Sequence, residues 1–353
     1  MARDLTVPDP AVVVDLIEAF RRSKAMFAGV SLGIFDALSG SAGEDHAAVS
    51  SGAGKTLPQL AQELGCSLDG LERLLDGLIG LQLLTREADR YRNTPAAEAY
   101  LTSSSPRRMT GYIGYSNTVM WKLWSHLEDA VKEGGHRWQQ AYGWDGPIFS
   151  HFFKDERAKR EFLMGMHGFG VLSSPHVVSA FDLSRFRHLA DLGGATGHLV
   201  VAACERYPQL QGTVFDLPEA VPLAKEMIAQ SSVPGRINVL GGDFFNDSLP
   251  PADLYALGRI IHDWSEEKAR KLLKRIYEAL PSGGGLLLAE KLLWDDKRGP
   301  RWAQMQNLNM LTCTEGKERT LAEYEQLLAG AGFQDVQGCR LQTPIDAILA
   351  IKP

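Results

Sequence analysis

Residues 188–198 read HLADLGGATGH: a short apolar run ends on an aspartate, breaks into glycines, and passes into an apolar, helix-compatible stretch. That order is a strand, a tight loop and a helix start. Glycine serves where the backbone must take positive φ or admit a ligand close to the main chain, and Gly193, Gly194 and Gly197 supply such positions. In an open α/β sheet the carboxyl ends of the strands are where ligands bind.

Downstream, the pattern of strand and helix repeats. HLADLG is followed by the helix LVVAACERYP, GTVFDLP by PEAVPLAKEMIAQ, and INVLGGDFF by LYALGRIIHDW, a fourth strand running to Trp264. SEEKARKLLKRIYEAL is a helix with Ser265 as its cap and Glu266 and Glu267 in its first turn. GGGLLLAEKLL is a fifth strand, LAEYEQLLAGAGF a helix, and FQDVQGCRL with DAILAIKP a closing antiparallel pair around Thr343 and Pro344. Regular alternation of this kind predicts an α/β, Rossmann-like sheet over 181–353.

Composition excludes several classes. A chain of 353 residues, 44% hydrophobic and 23% charged, has the make-up of a globular protein with two domains. Its net charge of -6 gives no electrostatic reason for a nucleic-acid partner. Cys66, Cys204, Cys313 and Cys339 are far apart with no C-x-x-C pair, so they read as buried thiols of a reducing compartment, with no metal ligands clustered in sequence. No apolar run reaches the roughly 18 residues of a membrane helix. A cytoplasmic protein without a membrane segment is the expectation.

Ahead of the sheet, apolar residues from Val13 to Phe35 recur at helical spacing and suggest two short helices. SGSAGEDHAAVSSGAGK, residues 39–55, is small and polar and reads as a flexible surface loop. LPQLAQELGCSLDGLERLLDGLIG then has the rhythm of helix, turn at Gly65 and second helix capped by Ser67 or Asp69, before a hairpin from Leu83 to Asn93. Helix, turn, helix and wing suggest a winged-helix module. A DNA-binding role is disfavoured, because Asp69, Glu72 and Asp76 outnumber Arg73 on the second helix. From Pro106 to Pro175 the chain looks helical, with Trp121, Trp124, Trp138 and Trp144 bunched as core or as pocket wall.

Polar residues fall at strand ends. Asp216 ends the second strand, where an acid accepts hydrogen bonds from ribose hydroxyls or caps the following helix. Asp243 and Phe244 end the third, the ring being suited to stack on a base. His262 lies near the end of the fourth, either as a base facing the cleft or as a cap for the next helix. A phenol with a pKa near 10 needs such a base to become a nucleophile at neutral pH.

The loop D-L-G-G-A-T-G lacks the G-x-G-x-x-G spacing of dinucleotide sites. It resembles the D-x-G-x-G-x-G loop of class I S-adenosylmethionine-dependent methyltransferases, with Ala195 in place of the middle glycine. The run LGRIIHDWSEEKARKLLKRIYEALPSGGGLLLAE resembles the H-D-W region of the acetylserotonin and plant phenolic O-methyltransferases, and the likeness covers nearly the whole chain. The resemblance implies S-adenosyl-L-methionine as cofactor, a small aromatic hydroxyl as acceptor and a homodimer. It implies a dimerisation domain over 1–105, a helical linker lining the cleft over 106–180, and a cofactor domain over 181–353. His262 becomes the general base, flanked by Glu290 and Glu318; the cofactor contacts become Gly193, Asp216, Gly242, Asp243, Phe244 and Arg259; Asn309 and Asp263 fall on the acceptor side. No metal is implied.

Cys313 replaces an amide, Gly170 a tryptophan and Phe153 a tyrosine of that family. These departures argue for an acceptor other than acetylserotonin. With Ala195, they also define an alternative: a cofactor-binding or dimeric interaction protein on a methyltransferase scaffold.

Overall fold

A computed structural model describes residues 8–40, 54–146, 149, 152, 153 and 155–353. The polar stretch expected to be a loop lies largely outside them, at 41–53. Two compact units divide the chain, Met1–Asn117 and Thr118–Pro353.

In the first unit two helices form as expected, but only the second is short: Ala11–Ser31 runs 21 residues, and Ile34–Leu38 is a single turn. The break comes at Gly33, whose φ of 75° is a conformation glycine adopts without strain. Gly29 does not break the first helix, because its bare Cα gives the Phe35 ring a place to pack. Thr56 and Gln59 form a capping box on helix Leu57–Leu64, which ends on left-handed Gly65. Ser67, and not Asp69, caps Leu68–Gly80 through its Oγ and the Gly70 N–H. The hairpin is β2 (Leu84–Glu87) against β3 (Arg90–Asn93), and β1 (Lys55–Thr56) adds a third antiparallel strand on β3. Ile34, Phe35, Leu60, Leu75 and Leu78 are the core. Val12, Val13, Val14, Leu16, Ile17 and Phe20 of the first helix remain 55–67% exposed.

The second unit is built on a seven-stranded sheet. Its strands are β4 (His188–Leu192), β5 (Gln211–Asp216), β6 (Ile237–Gly241), β7 (Leu254–Gly258), β8 (Gly285–Glu290), β9 (Gln334–Cys339) and β10 (Asp346–Ile351), in the order β6-β5-β4-β7-β8-β10-β9. All pairings from β6 to β8 are parallel, while β10 is antiparallel to both β8 and β9. This is the class I methyltransferase sheet with its closing antiparallel pair. The strand order reverses between β4 and β7, so the glycine loop leaves β4 at the switch point where α/β sheets open a crevice.

The fourth strand stops six residues short of the expected end. Arg259 takes a left-handed φ of 57° after Gly258, and Ile261–Asp263 is a 3-10 turn. The backbone N–H groups of Ile260 and Ile261 donate to Glu290 Oε1 at 3.1 and 2.8 Å, so a carboxylate has taken the donors a strand would use.

Ahead of the sheet, Glu156–Val177 is a 22-residue helix capped by Asp155. Trp138 is fully buried with its indole N–H on the Cys313 carbonyl, Trp124 reaches Asn309, and Trp121 is exposed. Of the four thiols all are free, but Cys66 and Cys339 are only partly buried, contrary to expectation.

Candidate active site

The glycine loop is shaped by its backbone. Gly193 and Gly197 have φ of 72° and 80°, and a Cβ on Gly193 would press into Ile260 while touching Phe244. Ala195 also takes a left-handed φ, 49°, and its N–H donates to Asp216 Oδ2 at 2.7 Å. The Leu217 N–H donates to Asp216 Oδ1 at 2.7 Å. Asp216 therefore ties the loop after β4 to the turn after β5. Burial pushes its carboxyl up to about 6, against the pull of those two donors. Asp191, beneath the loop, has Oδ1 buried without a partner, and burial with Asp216 nearby pushes it up to about 8.

Gly242 donates its N–H to the Asp216 carbonyl. Asp243 caps its own turn, taking the Phe245 N–H on Oδ1 and the Asn246 amide on Oδ2. Phe244 stands beside Gly193 and 6.4 Å from the Trp264 ring. Gly193, Asp216, Gly242 and Phe244 are thus gathered at one edge of the sheet.

His262 anchors the other half. Its Nδ1 lies 2.7 Å from Glu318 Oε1 and 3.5 Å from Glu290 Oε2, and its Nε2 is 3.6 Å from Asp263 Oδ1. The ring is 3% exposed, Glu290 0% and Glu318 2%. Burial alone would depress an imidazolium, but Glu290, Glu318 and Asp263 outweigh it and hold the ring up to about 9. Burial pushes Glu290 upward, opposed by His262. One oxygen of each glutamate, Oε2 in both, has no hydrogen-bond partner. Distant in sequence, these three groups could also hold a metal ion by type, which sequence spacing gave no sign of. The 2.7 Å N–O contact suits a shared proton better, since ligands around zinc stand roughly 3.4 Å apart.

Asn309 is buried, with Oδ1 accepting from Trp124 Nε1 at 2.8 Å and from Cys313 Sγ at 3.5 Å. Burial pushes the Cys313 thiol up to about 12, leaving it unreactive. Arg259 donates its backbone N–H to the Ala289 carbonyl and sets its guanidinium 5.7 Å from the Phe169 ring. The room at Gly170 is taken by His198, the first residue of the helix after the glycine loop: its Nδ1 bonds Ser174 Oγ at 2.8 Å, and a Cβ on Gly170 would run into its ring. Phe153 packs on Phe162 at 6.3 Å and on the patch around Leu163 and Leu223.

Sequence reasoning missed Arg319. Its guanidinium, 2% exposed, donates to the Ile261 carbonyl at 3.3 Å and pairs with Glu266 at 3.2 Å, clamping the turn that carries His262. A lone arginine after Glu318 carries no signal of burial.

Family models of an O-methyltransferase domain and of an O-methyltransferase dimerisation domain match residues 124–334 and 14–103. Chicken acetylserotonin O-methyltransferase is 40% identical over 97% of both chains. The chain belongs to the O-methyltransferase family. A human probable bifunctional dTTP/UTP pyrophosphatase/methyltransferase protein is 39% identical over 99% of this chain, which spans 55% of that relative. The crystal structure of human N-acetylserotonin methyltransferase in complex with SAM superposes with a TM-score of 0.90 at 37% identity, over 98% of this chain and 99% of that one. No helix among the described residues is long and apolar enough to cross a membrane.

Proposed function

We propose that this O-methyltransferase methylates a hydroxyl of a small aromatic acceptor, with His262 as general base. The observation that carries the reading is the His262 imidazole, held through Nδ1 by Glu318 and Glu290 one strand away from the glycine loop. The residues after β4, β5 and β6 fit S-adenosylmethionine: Gly193 keeps the loop backbone bare at a positive φ where a Cβ would press into Ile260, Asp216 keeps free lone pairs for ribose hydroxyls, and Phe244 stands beside them. Asp243 and Arg259 complete the proposed cofactor set. S-adenosylmethionine, when bound, supplies an electrophilic methyl group on a sulfonium.

The chain's part is to orient and to move a proton. With a proton on Nδ1 donated to Glu318, the lone pair on Nε2 accepts the proton of the acceptor hydroxyl as its oxygen takes the methyl. The resulting imidazolium is stabilised by the two buried carboxylates. Asp263, beside Nε2, and Asn309, whose carbonyl is already engaged, line the acceptor side; Asn309 therefore offers its amide N–H groups. Exposed apolar residues on helix Ala11–Ser31 and the dimerisation-domain match support a homodimer.

The test is methyl transfer over a panel of hydroxyindoles and phenols by wild type and His262→Ala. Loss of about 10²–10⁴-fold in kcat/KM, with binding of S-adenosylhomocysteine retained, is the expected result. Equal turnover by the two proteins would remove His262 as base. Ala195 in its left-handed conformation and His198 at Gly170 favour the second reading, a scaffold that binds cofactor without transfer; firm binding with no transfer to any acceptor would select it.

A further inference from the structure

The helix after the glycine loop, His198–Arg206, opens on a histidine whose place is set by the helix Glu156–Val177. A Cβ on Gly170 would run into Cδ2, Nε2 and Cε1 of His198 at nearly equal distances. Points equidistant from three atoms of a planar ring lie on the axis through its centre, so the imidazole is stacked flat on the bare Cα of Gly170. The N–H direction of Nε2, in the ring plane, is left open. At the other nitrogen, Nδ1 meets Ser174 Oγ at 2.8 Å.

Those contacts place the ring proton. Ser174 is 3% exposed and its hydroxyl has no other acceptor among the described residues, so its O–H donates to Nδ1 and the ring proton sits on Nε2. Nε2 makes no hydrogen bond to a described residue and, in a ring only partly buried, stays open to solvent. The positive charge of Arg259 acts on the same ring, and its guanidinium too has no hydrogen bond among the described residues. Two donors without an acceptor thus stand between the glycine loop and the end of β7. With Phe244 and Asp216 taking the base and ribose of the cofactor and its methyl directed to His262, the amino-acid tail is the part left for this ground. Its carboxylate accepts hydrogen bonds, whereas its ammonium would meet Nε2–H donor to donor.

We infer that His198 is a cofactor-binding residue, its Nε2–H donating to the carboxylate of the S-adenosylmethionine tail alongside Arg259. Gly170 is the glycine that lets the ring lie where it can do so. The inference rests on the reading that lays the cofactor along Gly193, Asp216 and Phe244.

The test is titration calorimetry of wild type, His198→Phe and His198→Gln with S-adenosylhomocysteine and with 5′-methylthioadenosine, which keeps the adenosine and the thioether but lacks the amino-acid tail. Phenylalanine keeps a ring on Gly170 and removes the donor, while glutamine carries an N–H at about the reach of Nε2. His198→Phe is expected to weaken S-adenosylhomocysteine about tenfold or more and to leave 5′-methylthioadenosine unchanged, which also shows the variant folded. His198→Gln is expected to keep most of the affinity for S-adenosylhomocysteine. Equal affinity of wild type and His198→Phe for S-adenosylhomocysteine overturns the proposal. So does an equal loss for both ligands, which would leave His198 only shaping the loop. Binding of neither ligand by wild type would instead overturn the cofactor reading beneath it.

Discussion

At the scale of the residue, the decisive group is an imidazole that the fold keeps charged. Three carboxylates raise His262 to about 9, so its neutral form, the only one able to take a proton, is scarce at pH 7 and grows as pH rises. We expect kcat/KM to climb with pH through neutrality, with its inflection near pH 9 and its plateau above it. Glu290→Gln removes one negative charge from beside Nδ1, so the ring should lose its proton more readily and the inflection of the pH–rate profile should move to lower pH. An inflection unmoved by that change would show that Glu290 does not set the ionisation of the ring. The same residues show where sequence was silent. His262 was legible because it sits in H-D-W at a predicted strand end. The two Oε2 atoms left without partners, the Arg319 clamp and the bond from Trp124 to Asn309 join positions far apart in the chain.

At the scale of the element, the helix Glu156–Val177 and the helix beginning at His198 are matched across the glycine loop. One bond joins them, Ser174 Oγ to His198 Nδ1 at 2.8 Å, and a second ties the first helix to the glycine loop, His167 Nδ1 to Thr196 Oγ1 at 2.9 Å. Burial holds the His198 ring neutral, down to about 3, which suits an imidazole seated against a bare Cα. Gly170→Ala should therefore cost on the order of 1–3 kcal/mol by overpacking, although alanine is the better helix former. Thermal unfolding of Gly170→Ala, His198→Ala and the double variant checks this: the double variant should recover most of the loss, a coupling expected only of residues in contact. Simple additivity would show that the ring does not press on residue 170. Read alone, Gly170 was a missing tryptophan. Beside His198 it is the position that makes room for a different ring.

At the scale of the whole molecule, the apolar stripe on helix Ala11–Ser31 asks for a cover. Six aliphatic and aromatic side chains more than half exposed on one helix exceed the scattered apolar residues of an ordinary surface. We expect wild type to sediment as a dimer at micromolar concentration and Leu16→Glu with Phe20→Glu to sediment as a monomer. A wild-type monomer would mean that something other than a second copy covers the stripe. By itself the sequence determined the alternation of strand and helix, the glycine loop, the closing antiparallel pair and the residue types at strand ends, because these follow from local periodicity and backbone preference. Tertiary structure decided the rest: where the fourth strand stops, which glutamate oxygens face the imidazole, and which arginine clamps the turn that carries it. Those depend on groups brought together from distant parts of the chain, and on burial, which turns an ordinary carboxylate or guanidinium into one that must find a partner.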